Sequence, residues 1–223
     1  ARYVQDVFER IAPRYDLMNR LMTAGQDVRW RQEVIRRAAP RPGDSLLDLG
    51  AGTGDLAREA LRQCPTCRVT AADFTLGMML EGQRRNPAAH AWAAADALHL
   101  PFPDAAFDVL VSGYLLRNVT DLTRALAEQY RVLKPGGRWV ALDTTRPGRS
   151  LLSPLIRFHM HRVIPAVGSL LTGQRDAYTY LPDSTESFLR AEELLARLAA
   201  AGFTKVGFAR RMFGTMAVHW GVK

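Results

Sequence analysis

An apolar stretch that runs straight into three alternating glycines constrains this chain more than any other feature. Leu46-Leu47-Asp48-Leu49 is followed at once by Gly50-Ala51-Gly52-Thr53-Gly54-Asp55. Glycine lacks a Cβ, so the three let the backbone turn sharply and approach a ligand closely, while the first N–H groups of a following helix point into the gap. The segment reads as strand, loop and helix, and the loop as a cofactor loop.

The spacing narrows the cofactor. Gly50, Gly52 and Gly54 make G-x-G-x-G, whereas the dinucleotide fingerprint G-x-G-x-x-G needs glycine where this chain has Asp55. A carboxylate beside a pyrophosphate is repelled, which favours a cofactor without phosphates. About twenty residues on, Val69-Thr70-Ala71-Ala72 ends in Asp73, an acid placed to accept both hydroxyls of a ribose. An adenosine without phosphates is implied, and S-adenosyl-L-methionine is the common one. The bland alternative is a tight strand-to-helix turn with an incidental aspartate.

Apolar periodicity around the loop gives the rest of the fold. Two short helices interrupted by Pro13 are expected between Val4 and Met22, and a third near Val28 to Ala38. The pattern then predicts strand 45–49, helix 54–63, strand 67–72, helix 75–85, a short strand near 90–94, strand 107–112, helix 120–132 and strand 137–142. That rhythm means a doubly wound, Rossmann-like α/β fold with a seven-stranded, mostly parallel sheet. Lys134-Pro135-Gly136-Gly137 is expected to stop a helix at Leu133 and turn into the next strand. Residues 149–175 look helical and basic, an insertion after the fifth strand. The chain ends with a helix from Ala191 to Ala201, stopped by Gly202, and two antiparallel strands at 204–210 and 213–220.

A chain of 223 residues, 48% of them hydrophobic, buries one sizeable core, so one domain is expected. Its parts are a helical cap at 1–40, a cofactor core at 41–147, an insertion at 148–190, and a closing helix with strands at 191–223. No run reaches the roughly 20 apolar residues of a membrane span, and Ala1-Arg2-Tyr3-Val4 lacks a signal-peptide pattern, so a cytoplasmic protein is expected. Cys64-Pro65-Thr66-Cys67 has no second pair to complete a zinc site and reads as incidental surface thiols. His159 and His161 lack acidic or thiol neighbours, so no metal site is expected. The formal charge of +8 favours anionic surroundings, whether acidic lipid or nucleic acid.

Taken in order, the glycine loop, Asp73, Asp96-Ala97 with Leu100-Pro101-Phe102, and Leu133-Lys134-Pro135-Gly136-Gly137 resemble the class I S-adenosylmethionine-dependent methyltransferases. Further elements are similar to one branch, the ubiquinone/menaquinone biosynthesis C-methyltransferases. They are Tyr15-Asp16-Leu17-Met18-Asn19 with Trp30-Arg31, Leu116-Arg117-Asn118-Val119-Thr120-Asp121, Tyr178-Thr179-Tyr180-Leu181, and the ending Ala217-Val218-His219-Trp220-Gly221-Val222-Lys223. The resemblance implies a cofactor loop at Asp48, Gly50, Gly52, Thr53 and Gly54, with the methionine moiety near Thr53, the ribose on Asp73 and the adenine beside Asp96 and Ala97. Gly113 stands where the family usually has serine, with Ser112 one step earlier, and the family's acidic-Phe-Ser-x-Pro run is here Asp143-Thr144-Thr145-Arg146-Pro147.

The implied substrate is a prenylated quinol, demethylmenaquinol above all, methylated at a ring carbon. Removing a phenolic proton pushes electron density onto the adjacent carbon, which then attacks the methyl group. Such an enzyme must align ring and methyl, stabilise a phenolate and accept a proton. Arg117 is the expected phenolate anchor, Asn118 an orienting amide, and Tyr15 and Asp16 ordering groups from a helix closing over the site; His219 is better read as a structural histidine than as a base. A prenyl tail implies peripheral contact with an anionic membrane, for which the 149–175 segment is suited, and a homodimer is compatible with the chain. A nucleic-acid partner is not expected, because Ser112-Gly113-Tyr114-Leu115 stands in place of the Asn/Asp-Pro-Pro-aromatic motif that grips a flipped base. An O- or N-methyltransferase of another small molecule, and a non-catalytic cofactor-binding subunit, remain open at this stage.

Overall fold

The computed structural model describes residues 15–23, 25–85, 91–146 and 188–223. Two helices lead in, α1 (Tyr15–Met22) and α2 (Gln26–Ala38). The central units follow as β1 (Ser45–Leu49), α3 (Asp55–Gln63), β2 (Arg68–Asp73), α4 (Leu76–Arg85), β3 (Ala91–Ala94) and β4 (Phe107–Gly113). A 3-10 turn, Leu116–Asn118, then leads to α5 (Leu122–Val132), β5 (Leu133–Thr144), α6 (Ala191–Ala200), β6 (Thr204–Arg211) and, after a further 3-10 turn at Met212–Gly214, β7 (Met216–Val222). One seven-stranded sheet runs β3-β2-β1-β4-β5-β7-β6, with β7 antiparallel to both neighbours and the other pairings parallel.

The central strands are covered on both faces, which is why β1 carries buried leucines on both, Leu46 on one and Leu47 and Leu49 on the other. Successive side chains go to opposite faces. Leu46, Val109, Val111, Val140 and Leu142 meet Trp30, Val34 and Ile35 of α2 and Leu56, Ala57 and Ala60 of α3. On the other face, Leu47, Leu49, Leu110, Trp139 and Ala141 meet Leu126 of α5, Leu194 and Leu198 of α6, and Phe203. From β1 the chain steps outward to β2 and β3, then returns to lay β4 on the opposite side of β1. That reversal opens a crevice beyond the carboxyl ends of β1 and β4, where doubly wound sheets bind ligands.

Two expectations are corrected. The helix ends at Val132, and Leu133 already pairs with Phe107, so the Lys134–Gly137 run lies inside β5 at a register irregularity. The run is tied to its neighbours: Lys134 Nζ sits 2.7 Å from Asp108, Gly136 N–H donates to the Lys223 carbonyl at 2.8 Å, and Lys223 N–H returns to Gly137 at 3.0 Å. Cys64 and Cys67 are not surface thiols. They close a tight turn between α3 and β2, lie buried against the α2–α3 core, and form a disulfide with Cα atoms 5.5 Å apart.

Gly202, with φ of +98°, ends α6 as its sequence position implies. Residues 1–14 and the basic 149–175 segment, with His159 and His161, lie outside the described residues. Among the described residues no helix is long and apolar enough to cross a membrane, and no group of three or more His, Cys, Asp or Glu could hold a metal ion.

Candidate cofactor and acceptor site

The glycine loop leaves β1 in a conformation that L side chains rarely adopt. Gly50 has φ of +69° and Gly52 of +57°, and a Cβ on Gly50 would lie 2.9 Å from Leu115 Cδ1. The loop is tied to β2: Gly50 and Ala51 N–H both donate to the Ala72 carbonyl, at 2.8 and 3.0 Å. Asp73, the last residue of β2, accepts Gly52 N–H on Oδ2 and Thr75 N–H on Oδ1, each at 2.7 Å. Its carboxyl is pushed up by burial, which those backbone donors oppose. Beyond it opens a cleft of about 910 Å³, counted out through its mouth. Gly50, Gly52, Asp73, Met78, Asp96, Ala97 and Gly113 line it, as do Leu115 and Asn118. Met79 is buried but does not line the cleft.

A smaller recess joins it on the α2 side, lined by Arg31, Asp48, Gly50, Gly52, Thr53, Asp55 and Gly113. Asp48 is fully buried, with Oδ2 accepting Ala57 N–H at 2.9 Å. Its Oδ1 has no hydrogen-bond partner among the described residues. Burial holds this carboxyl up at about 7, and the neighbouring charge of Asp73 adds to the rise. Arg31 bridges Asp27, one helical turn back in α2, and Asp55 at 3.0 Å. Gly54 caps α3 with φ of +82° and lines neither space. Sequence reasoning gave Arg31 no role. The available signal was the i, i+4 spacing of Asp27 and Arg31, which puts acid and base on one helix face.

Beside the loop, a second wall of the cleft is the 3-10 turn that follows β4. Asn118 lines the cleft, and its Nδ2 donates to the Tyr114 carbonyl at 2.8 Å. Arg117 is not at the cleft surface, contrary to the expected direct contact with an acceptor. The turn folds the backbone of Leu116 and Arg117 onto Asp143, and the guanidinium follows, only 4% exposed and 3.5 Å from Asp143 Oδ1. Tyr15 and Asp16 begin α1, but their side chains lie outside the described residues. His219 sits within β7, its Nε2 donating to the Ala191 carbonyl at 3.0 Å, and burial lowers its pKa to about 4. A ring that stays neutral and faces away from the cleft is structural.

Residues 1–223 match the model of the ubiE/COQ5 methyltransferase family. The chain belongs to that family. It is 44% identical over 221 residues to the ubiquinone/menaquinone biosynthesis C-methyltransferase UbiE of Desulfotalea psychrophila, covering 99% of this chain and 90% of that one. It is 42% identical over 218 residues to the demethylmenaquinone methyltransferase of Thermus thermophilus, covering 96% and 99%. Among solved structures, a SAM-dependent methyltransferase from Thermotoga maritima superposes with a TM-score of 0.65 at 20% identity, covering 98% of this chain and 99% of that one. The [4+2]-cyclase SpnF does so at 0.71 and 18%, covering 99% and 94%. These two likenesses establish the fold. In this methyltransferase, as in any protein on a widely shared fold, the chemistry resides in the residues of the site.

Proposed function

We propose that this methyltransferase uses S-adenosyl-L-methionine to methylate a ring carbon of a prenylated quinol, with demethylmenaquinol as acceptor and menaquinol as product. The observation that carries the reading is the match to the ubiE/COQ5 family along the whole chain, together with relatives named for that reaction at 42% and 44% identity.

The residues present fit the cofactor. Gly50 and Gly52 form a cradle that a Cβ would fill, Asp73 offers carboxylate oxygens to a ribose, and Asp96 and Ala97 line the same cleft. The recess pairs a carboxylate that has an unpartnered oxygen, Asp48, with a buried cation, Arg31, suiting an ammonium and a carboxylate on one amino-acid tail. When bound, the cofactor supplies an electrophilic methyl group. The chain's own task is on the acceptor side. Asn118 presents its amide at the cleft wall to orient a quinol oxygen, while Arg117 places positive charge behind the same wall, where low dielectric strengthens its pull on a developing phenolate. Leu115 and Val119 give that wall apolar surface against an aromatic ring.

A prenylated acceptor resides in a bilayer, so peripheral contact with an anionic membrane is part of the proposal. Exposed Leu17, Leu21 and Val28 beside exposed Arg20 and Arg29 support it, since apolar side chains enter the interface while arginines meet anionic headgroups. The decisive assay incubates the protein with S-adenosylmethionine and reduced demethylmenaquinol and follows the mass of the quinone. A gain of one methyl on a ring carbon supports the reading; cofactor binding with no product on naphthoquinols or benzoquinols refutes it.

A further inference from the structure

Asp143 and Arg117 form an ion pair that is buried but unequally satisfied. The carboxylate is fully engaged: Oδ2 accepts Leu116 N–H at 2.8 Å and Arg117 N–H at 3.4 Å, and Oδ1 accepts Thr144 N–H at 2.7 Å. The guanidinium is not. Its nearest approach to Asp143 is 3.5 Å, its Nε has no hydrogen-bond partner among the described residues, and its Cζ lies 5.3 Å from the centroid of the Tyr114 ring. A buried donor without a partner is costly, because the hydration it gave up is not replaced. A bidentate carboxylate would have removed that cost and, with it, the guanidinium's pull on any other anion.

We propose that Asp143 is a positioning residue for acceptor ionisation: it fixes the 116–118 turn through the backbone and holds Arg117 in place while leaving part of its charge unneutralised. The proposal rests on the reading that a quinol loses its hydroxyl proton at the Asn118 wall. In that ionisation the O–H bond breaks, the electron pair stays on the oxygen and the proton passes to water, so the guanidinium gains an anion to face. Full neutralisation would make Arg117 inert. Removal of Asp143 would release the guanidinium from the turn that places it.

Asp143→Asn is nearly isosteric. The amide oxygen keeps the Leu116 and Arg117 backbone bonds, and the amide NH2 turns a donor toward Arg117 and Thr144. Arg117→Met removes the pair from the other side. Each single variant is expected to lower kcat about a hundredfold, the scale of losing one anion-stabilising donor. S-adenosylmethionine affinity, read by calorimetry, should stay within about threefold of wild type in both. Because Asp143 acts through Arg117, the double variant should be no slower than Arg117→Met alone, and the rising limb of kcat against pH should move up by about one pH unit in all three. Costs that multiply in the double variant, or an unmoved pH limb, would show that Asp143 is merely structural. If Arg117→Met is impaired while Asp143→Asn keeps its rate, this proposal fails and the reading of the wall stands. A wild-type rate in Arg117→Met overturns both.

Discussion

Replacing Asp48 by Asn tests whether the recess is a seat for a cation. The carboxyl is held at about 7, against an ordinary value of 3.8, because burial disfavours its charged form. A cationic ligand beside the unpartnered Oδ1 favours the ionised form, so binding expels a proton below pH 7 and affinity rises with pH. With a free pKa of about 7 and a bound one well below 6, the dissociation constant should tighten about tenfold between pH 6 and pH 8, or about 1.4 kcal/mol. The Asp48→Asn side chain keeps the Ala57 bond and loses the titration. The affinity deficit of the variant should therefore be small at pH 6 and about tenfold larger at pH 8. Calorimetry on both proteins at pH 6, 7 and 8 reads this directly. The ligand's own titrating amine is common to both proteins and cancels in the ratio. Stability moves the other way. A folded pKa raised above the unfolded value gives a contribution that is complete below pH 3.8 and erodes as pH rises to 7. Ligand-free Asp48→Asn should thus gain about 1.4 kcal/mol on wild type between pH 6 and pH 8. A ratio of dissociation constants that does not change with pH would refute the cation seat.

Gly50→Ala combines a left-handed backbone, costing about 1–2 kcal/mol for an L residue, with an overlap on Leu115, so cofactor affinity should fall about thirtyfold or more by calorimetry. His219, buried neutral with a pKa near 4, gives stability that is complete above pH 6.5 and lost as pH falls to 4, about 3 kcal/mol in all. His219→Gln should flatten that part of the acid-unfolding curve and leave the pH profile of kcat unmoved. Gly207→Ala puts a Cβ 2.5 Å from the Trp220 ring, whose indole also carries Arg37 at 3.9 Å; displacing it should cost about 1–3 kcal/mol by urea unfolding, with little change in cofactor affinity.

The cofactor half of the site was legible because backbone chemistry restricts it to few residue types. Glycines at positive φ after an apolar strand, and an acid at the end of the next strand, are local signals, and β1 falls on residues 45–49 as its pattern implies. The acceptor half was not legible, because it depends on contacts far apart in sequence. Arg117 and Asp143 stand 26 residues apart and meet only through the β4–β5 register, Gly113 beside Leu142, which sets Asp143 under the turn. Arg31 reaches the recess because α2 packs across β5, β4 and α3, an arrangement without trace in the α2 sequence beyond its apolar stripe. The burial of Cys64 and Cys67 is not legible for a related reason: a short C-x-x-C looks alike whether its turn faces water or, as here, the α2–α3 core.

Asp48 and Asp143 show how one sheet makes two different tools from the same side chain. Each is the penultimate residue of its strand, β1 and β5, and each is fully buried with its carboxyl pushed up by that burial. Alternation along the strands sends them to opposite faces, Asp48 toward α3 and Asp143 toward the 3-10 turn. What separates them is the supply of donors. Asp143 takes three backbone N–H groups and faces a guanidinium, so nothing is left over to bind a ligand and its work is to hold structure. Asp48 takes one backbone N–H and keeps an unpartnered oxygen at the recess, a cost the fold retains where a cation can offset it. The cleft lies between the two, with the group that seats a charge on one side and the group that arms a charge on the other.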